Sequence, residues 1–290
     1  MAVLRFTGAG VVSTPTAVQI RVTRTLPGRL AAGAPIPDRT LSDEEVEANL
    51  RHFVVGLRGP RSRACDALVL SGVRLGERHG LAEVVRAARG WGLRRVSLHL
   101  GRDQRLALRR SPLAALVDDL AIVVRNELDL GDVAALCRQG PTVTAVLPLD
   151  DAGLARLDGM SSALAQVGVP RVVLTWPLSG DPPPHAATVA PRLPAAVQTL
   201  EAAGCAVSIK GLPLCALGPL ARVAGRTRNR WYVDAAHQGP DALLFFPDVL
   251  RFSKLDACRF CGLEADCDGA PARWLALRRA GMLHPVDRAD

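Results

Sequence analysis

Lysine is almost missing from this chain. Lys210 and Lys254 are the only two, so arginine carries nearly all of the basic charge behind a formal net charge of +8. With Ala, Val, Leu, Gly and Pro so abundant, the arginine surplus reads partly as a high-GC coding bias and partly as a solvated basic surface. Aromatic residues are also scarce, at 4%, and no basic run is interleaved with them. The stacking platform of a nucleic-acid binder is therefore not expected, whereas an acidic peptide partner suits a basic surface. No apolar run reaches the length of a membrane span, and the N-terminus lacks the regions of a signal peptide. The expected setting is the cytoplasm, away from membranes. No Walker-type phosphate loop, nucleophile elbow or kinase signature occurs, and no H-x-x-H or H-E-x-x-H set. His79, His185, His237 and His284 stand in loop contexts. Gly8 and Gly10 lack the following helix and downstream acid of a dinucleotide fingerprint.

Cysteine is the residue the chain does supply in a pattern. There are seven, an odd number without an export signal, which fits metal ligation in a reducing compartment better than a disulfide framework. Cys258, Cys261 and Cys267 fall within ten residues in a C-x2-C-x5-C spacing, beside Arg259, Glu264, Asp266 and Asp268. The first pair can wrap a metal, and the third can close its far side. A tetrahedral thiolate site needs four ligands; Cys215, where a strand ends, is the candidate for the fourth. Bringing Cys215 to Cys258 closes a loop at a cost of roughly 3 kcal/mol. A structural metal centre returns on the order of 10 kcal/mol. Spacing alone leaves zinc and iron–sulfur open. Cys137 and Cys205 have no partner at ligand spacing and read as small buried hydrophobes; Cys65 stands alone.

Elsewhere the pattern alternates. Apolar runs at 17–23, 66–71, 95–99, 120–124, 142–147, 171–175 and 206–210 read as strands. Between them lie helical stretches at 42–56, 81–91, 130–139, 151–167 and 190–203, with a helical piece around Leu113. Ser42 and Glu45 are an N-cap with its capping-box glutamate. Most of the runs are continuously apolar, as in parallel strands covered on both faces, and helices between them imply right-handed crossovers. The expected fold is α/β, an open or partial (β/α) barrel over residues 1–211. A small Cys-rich extension follows over 212–290, with a last helix at 272–280. The strand ends that would ring the barrel mouth place Thr23, Arg24, Ser71 to Arg74, His99, Arg125, Asn126, Asp150 and Trp176 there. His99 and Asp150 would serve as acid and base, with Arg74 or Arg125 as anion holders. Charged strand ends are equally the solvated rim of any barrel.

The order of these parts resembles the radical SAM superfamily. The strand at 66–71 with Gly72-Val73-Arg74, the helix at 81–92 and the strand at 96–101 are similar to that family's second strand, Gly-Gly-Glu loop, helix and third strand. The tail C-x2-C-x5-C-x-G resembles the auxiliary-cluster extensions called SPASM or twitch domains, and the likeness covers residues 17–275. It implies an iron–sulfur cluster, of the 4Fe–4S kind, at Cys215, Cys258, Cys261 and Cys267, with zinc as the alternative. Three departures accompany it. The family's C-x3-C-x2-C loop should follow the first strand, yet no cysteine precedes Cys65. The Gly-Gly-Glu acid is replaced by Arg74, and a further SPASM cysteine is here Pro271. Without those three thiolates no open iron can chelate S-adenosylmethionine (SAM), so SAM binding and cleavage are not expected. The implied function is an accessory or binding protein in peptide or natural-product maturation, partnered by a peptide substrate or a catalytic protein. The competing expectation is an enzyme that uses the barrel mouth or the C-terminal cluster for redox or ionic chemistry, or a zinc-clipped binding protein.

Overall fold

The computed structural model describes residues 15–22, 39–56, 64–72, 75–100, 108, 111–138, 140–178, 181–225, 230–244, 252–277 and 286. The strands are β1 (Ala17–Arg21), β2 (Ala67–Ser71), β3 (Arg95–Leu100), β4 (Asp119–Val123), β5 (Thr142–Pro148), β6 (Arg171–Thr175), β7 (Ala206–Lys210) and β8 (Trp231–Val233). In parallel-sheet order they run β4-β3-β2-β1-β8 in the first of two units and β7-β6-β5 in the second. The fold is α/β, with parallel strands separated by helices, as the alternation in the sequence predicts. The chain divides into two compact units, Met1–Ile122 with Arg228–Phe246, and Val123–Thr227 with Pro247–Asp290. Of the expected extension 212–290, residues 228–246 fall in the first unit and the remainder in the second.

In the first unit β1 pairs in parallel with both β2 and β8, and β3 lies between β2 and β4. One face of this sheet is apolar and fully buried through Val18, Ile20, Leu68, Leu70, Val96, Leu98, Leu120 and Ile122. The helices Asp43–Arg51 and His79–Gly90 bury Val46 and Leu50, and Leu81, Val85 and Ala88. Phe53, in the turn after the first of these helices, packs its ring 5.7 Å from that of Trp231. The expected capping box is present. Glu45 N–H donates to Ser42 Oγ at 3.2 Å, and Ser42 N–H donates to Glu45 Oε2 at 2.9 Å. Strand β8 is an addition to the expected seven: three residues following Arg-Asn-Arg are too short a run to register as a strand.

In the second unit β5, β6 and β7 are consecutive and parallel. The expected helix over 151–167 is two, Asp151–Ala155 and Leu157–Val167, the second ending at Gly168 with φ 72°. That left-handed C-terminus suits glycine. Beyond the outer edge of β7, Ala224 forms a parallel bridge to Ile209. A two-stranded antiparallel ladder of β9 (Phe252–Ser253) and β10 (Ala270–Pro271) brackets the cysteine segment.

Candidate functional site

The second face of the first unit's sheet is polar. Side chains alternate across a strand, so Gln19 and Arg21 of β1 share a face with Ser71 of β2, Ser97 and His99 of β3 and Asp119 of β4. The register puts Arg21, Ser71 and His99 in one cross-strand row, and Gln19 in the next row with Ser97 and Asp119. Gln19 is 1% exposed; its amide N–H donates to Ser71 Oγ at 3.4 Å and its amide oxygen accepts from Arg230 at 2.9 Å. At the N-terminal end of the strands Arg95 grips Asp119 through two bonds of 2.6 and 2.8 Å, and Ser97 Oγ donates to the same carboxylate at 3.3 Å. The bond to Asp119 holds the Arg95 pKa above its usual value.

The second unit has its own pocket at the ends of β4 and β5, a cavity of about 190 Å³ bordered by Arg125, Leu147, Asp150, Arg156 and Met160. Arg125 forms an ion pair with Asp150 at 2.8 Å. Asp150 also caps the following helix, accepting from Gly153 N–H at 2.8 Å. Gly153 is required here, because a Cβ would lie 1.8 Å from the Pro148 carbonyl oxygen. Buried Asp129 accepts from the backbone N–H groups of Arg125 and Asn126. Asp150 is thus held by a cation and by a helix terminus. Trp176 does not belong to a rim: it is wholly buried, its indole N–H donating to the Pro184 carbonyl at 3.1 Å. Of the other expected mouth residues, Thr23, Arg24, Val73 and Arg74 lie outside the described residues.

The cysteine segment is built as a hairpin between β9 and β10. Cys258 sits in the 3-10 turn Asp256–Phe260, with Cys261 capping it. Two sulfurs accept backbone hydrogen bonds: Cys261 Sγ from Val286 N–H and Cys267 Sγ from Gly269 N–H, both at 3.3 Å. Lys254 Nζ donates to the Glu264 carbonyl at 2.6 Å across the hairpin. Trp274, in the helix Ala272–Ala276, is fully buried, and its indole N–H donates to the Pro177 carbonyl at 2.7 Å. That anchor ties the tail to the end of β6 within the second unit. Cys215 is half-buried in the short helix Leu214–Leu217 that follows β7.

All seven cysteines are free thiols. Among the described residues, no three or more His, Cys, Asp or Glu side chains come together as a group able to hold a metal ion. Three of the expected ligands therefore share one hairpin, two of them with amide donors in place, but with Cys215 they do not form a closed site in this arrangement. Cys65 and Cys205 are buried and Cys137 is half-buried, in keeping with the packing role expected of Cys137 and Cys205. Burial raises the thiol pKa of all three, that of Cys65 to about 12. Among the described residues, no helix is long and apolar enough to cross a membrane. No protein-family model matches this chain, and no curated protein is found to be similar to it. Sequence reasoning missed Trp274 and Arg230, whose partners are 97 and 211 residues away in the chain. No local pattern marks either.

Proposed function

We propose that this chain is a thiolate-metal protein, in which Cys215, Cys258, Cys261 and Cys267 hold an iron–sulfur cluster of the 4Fe–4S kind. The observation that carries this reading is the pair of backbone N–H groups directed at Cys261 and Cys267. Such bonds stabilise thiolate charge and tune a cluster's potential, whereas a buried structural thiol has no need of them. Ligation of such a site is coupled to folding, because the site rarely exists in the unfolded chain.

The body is read as a partial β/α barrel of the radical-SAM type. Sequential parallel strands in each unit, β8 laid beside β1, and the Ala224 bridge beside β7 support it. With no cysteine before Cys65 and Arg74 in place of the family's acid, the chain lacks the groups that cleave SAM. The role that remains is an accessory one in peptide or natural-product maturation, binding a peptide or a catalytic partner in the cytoplasm.

Anaerobic purification with iron, sulfide and zinc analysis tests this on wild type and Cys261→Ser. About four iron and four sulfide per chain, lost in the variant, are expected. Stoichiometric zinc would replace the cluster with a structural clip, and metal-free folded protein would remove the site. Release of 5′-deoxyadenosine from SAM by the reduced, reconstituted chain would overturn the loss of cleavage.

A further inference from the structure

The polar face of the first unit carries two arginines that have no acidic partner among the described residues. Arg21 lies on β1, and its Nε is buried without a hydrogen-bond acceptor. Arg230 immediately precedes β8, and among the described residues one of its five N–H donors is bonded, to the Gln19 amide oxygen. Asp119 is held by Arg95 and Ser97, and Asp234, just after β8, accepts through Oδ1 from the backbone N–H groups of Ala236 and His237 and pairs with the His237 ring at 2.9 Å; neither carboxylate is paired with Arg21 or Arg230.

Arginine stays protonated in proteins, and a desolvated cation without a counter-charge is costly. Burial alone, with no carboxylate to offset it, pushes the Arg230 pKa below its usual value. Among the described residues the polar face keeps these two guanidinium groups without a paired carboxylate, whereas Arg95 is satisfied through two bonds to one. Gln19 organises this part of the face. Its oxygen orients Arg230 and its nitrogen binds Ser71 Oγ, which leaves the Ser71 hydroxyl proton able to donate. Gln19 is a positioning residue here; the guanidinium groups and the hydroxyl supply the donors.

We propose that Arg21 and Arg230, set by Gln19 and assisted by Ser71, form a binding site for an oxyanion, the carboxylate or phosphate group of a small ligand. The planar guanidinium fork matches both groups bidentately. The anion supplies the counter-charge that no described carboxylate provides by pairing with either arginine. Of the expected anion holders, Arg125 is already paired with Asp150, and Arg74 lies outside the described residues. The site draws on no cysteine, so it stands or falls independently of the metal reading.

Titration calorimetry on the full chain tests the proposal, with inorganic phosphate and succinate as separate probes in chloride buffer of constant ionic strength. Saturable binding of one probe assigns its chemistry, and saturable binding of both assigns a general oxyanion site. Arg21→Gln and Arg230→Gln are each expected to weaken it by roughly tenfold or more. Arg222→Gln, which removes a guanidinium already paired with Glu201, should bind as wild type does. Gln19→Glu guards against loss of fold: it installs the missing carboxylate, and should raise the melting temperature while abolishing binding. No saturable binding of either probe, or equal affinity in wild type, Arg230→Gln and Gln19→Glu, would overturn the proposal.

Discussion

Cys65 shows how completely surroundings set the chemistry of a single side chain. It is 1% exposed, with Asp66 beside it, and desolvation first and that negative charge second raise its thiol from 9.0 to about 12. In the unfolded chain the thiol ionises near its ordinary value, whereas in the folded chain it keeps its proton. Its contribution to stability is therefore intact below about 9 and is lost as pH rises towards about 12. Folded, metal-free protein titrated with a thiol reagent at pH 8 should leave Cys65 unmodified while Cys258 reacts; prompt labelling of Cys65 would contradict this burial. The sequence makes Cys65 legible only as a solitary thiol. The anion-binding arginines were less legible still. Arg21 looks like a solvated residue of an alternating strand, and Arg230 acquires its role only because β8 settles beside β1.

At the scale of the element, local chemistry was readable and distant docking was not. Ser42 and Glu45 announce a helix start because both halves of the capping box lie within one turn. The strands β6 and β7 match their apolar runs residue for residue. The cysteine hairpin was legible as a spacing, but the feature that fastens it to the second unit is Trp274, which reaches back to Pro177. Trp274→Ala removes a wholly buried ring and its hydrogen bond, at a cost of about 3–5 kcal/mol to the tail's attachment. Limited proteolysis should then cut within residues 252–277 well before the strands are attacked. Equal protease resistance in wild type and variant would mean that the tail is held by other contacts.

For the whole molecule, the strand–helix alternation carried the fold class, because each run long enough to cross a sheet also had to be apolar enough to be buried. The division of the chain was harder to see. Residues 228–246 return to the N-terminal unit, and three residues of β8 hold too little pattern to signal that return. The seven thiols are all unpaired, so no covalent cross-link contributes to stability. Metal-free protein should unfold at the same temperature with and without a strong reductant, as differential scanning calorimetry would show. A drop under reductant would reveal a disulfide that this arrangement does not contain.

One position in the hairpin reaches beyond this chain to its descent. Gly269 holds φ at +86°, and a Cβ there would come within 2.3 Å of the Ser253 carbonyl oxygen. Backbone geometry, not sulfur chemistry, therefore forbids any other residue. Should a descendant shed its thiols through drift, this glycine would persist as a fossil of the hairpin that carried them.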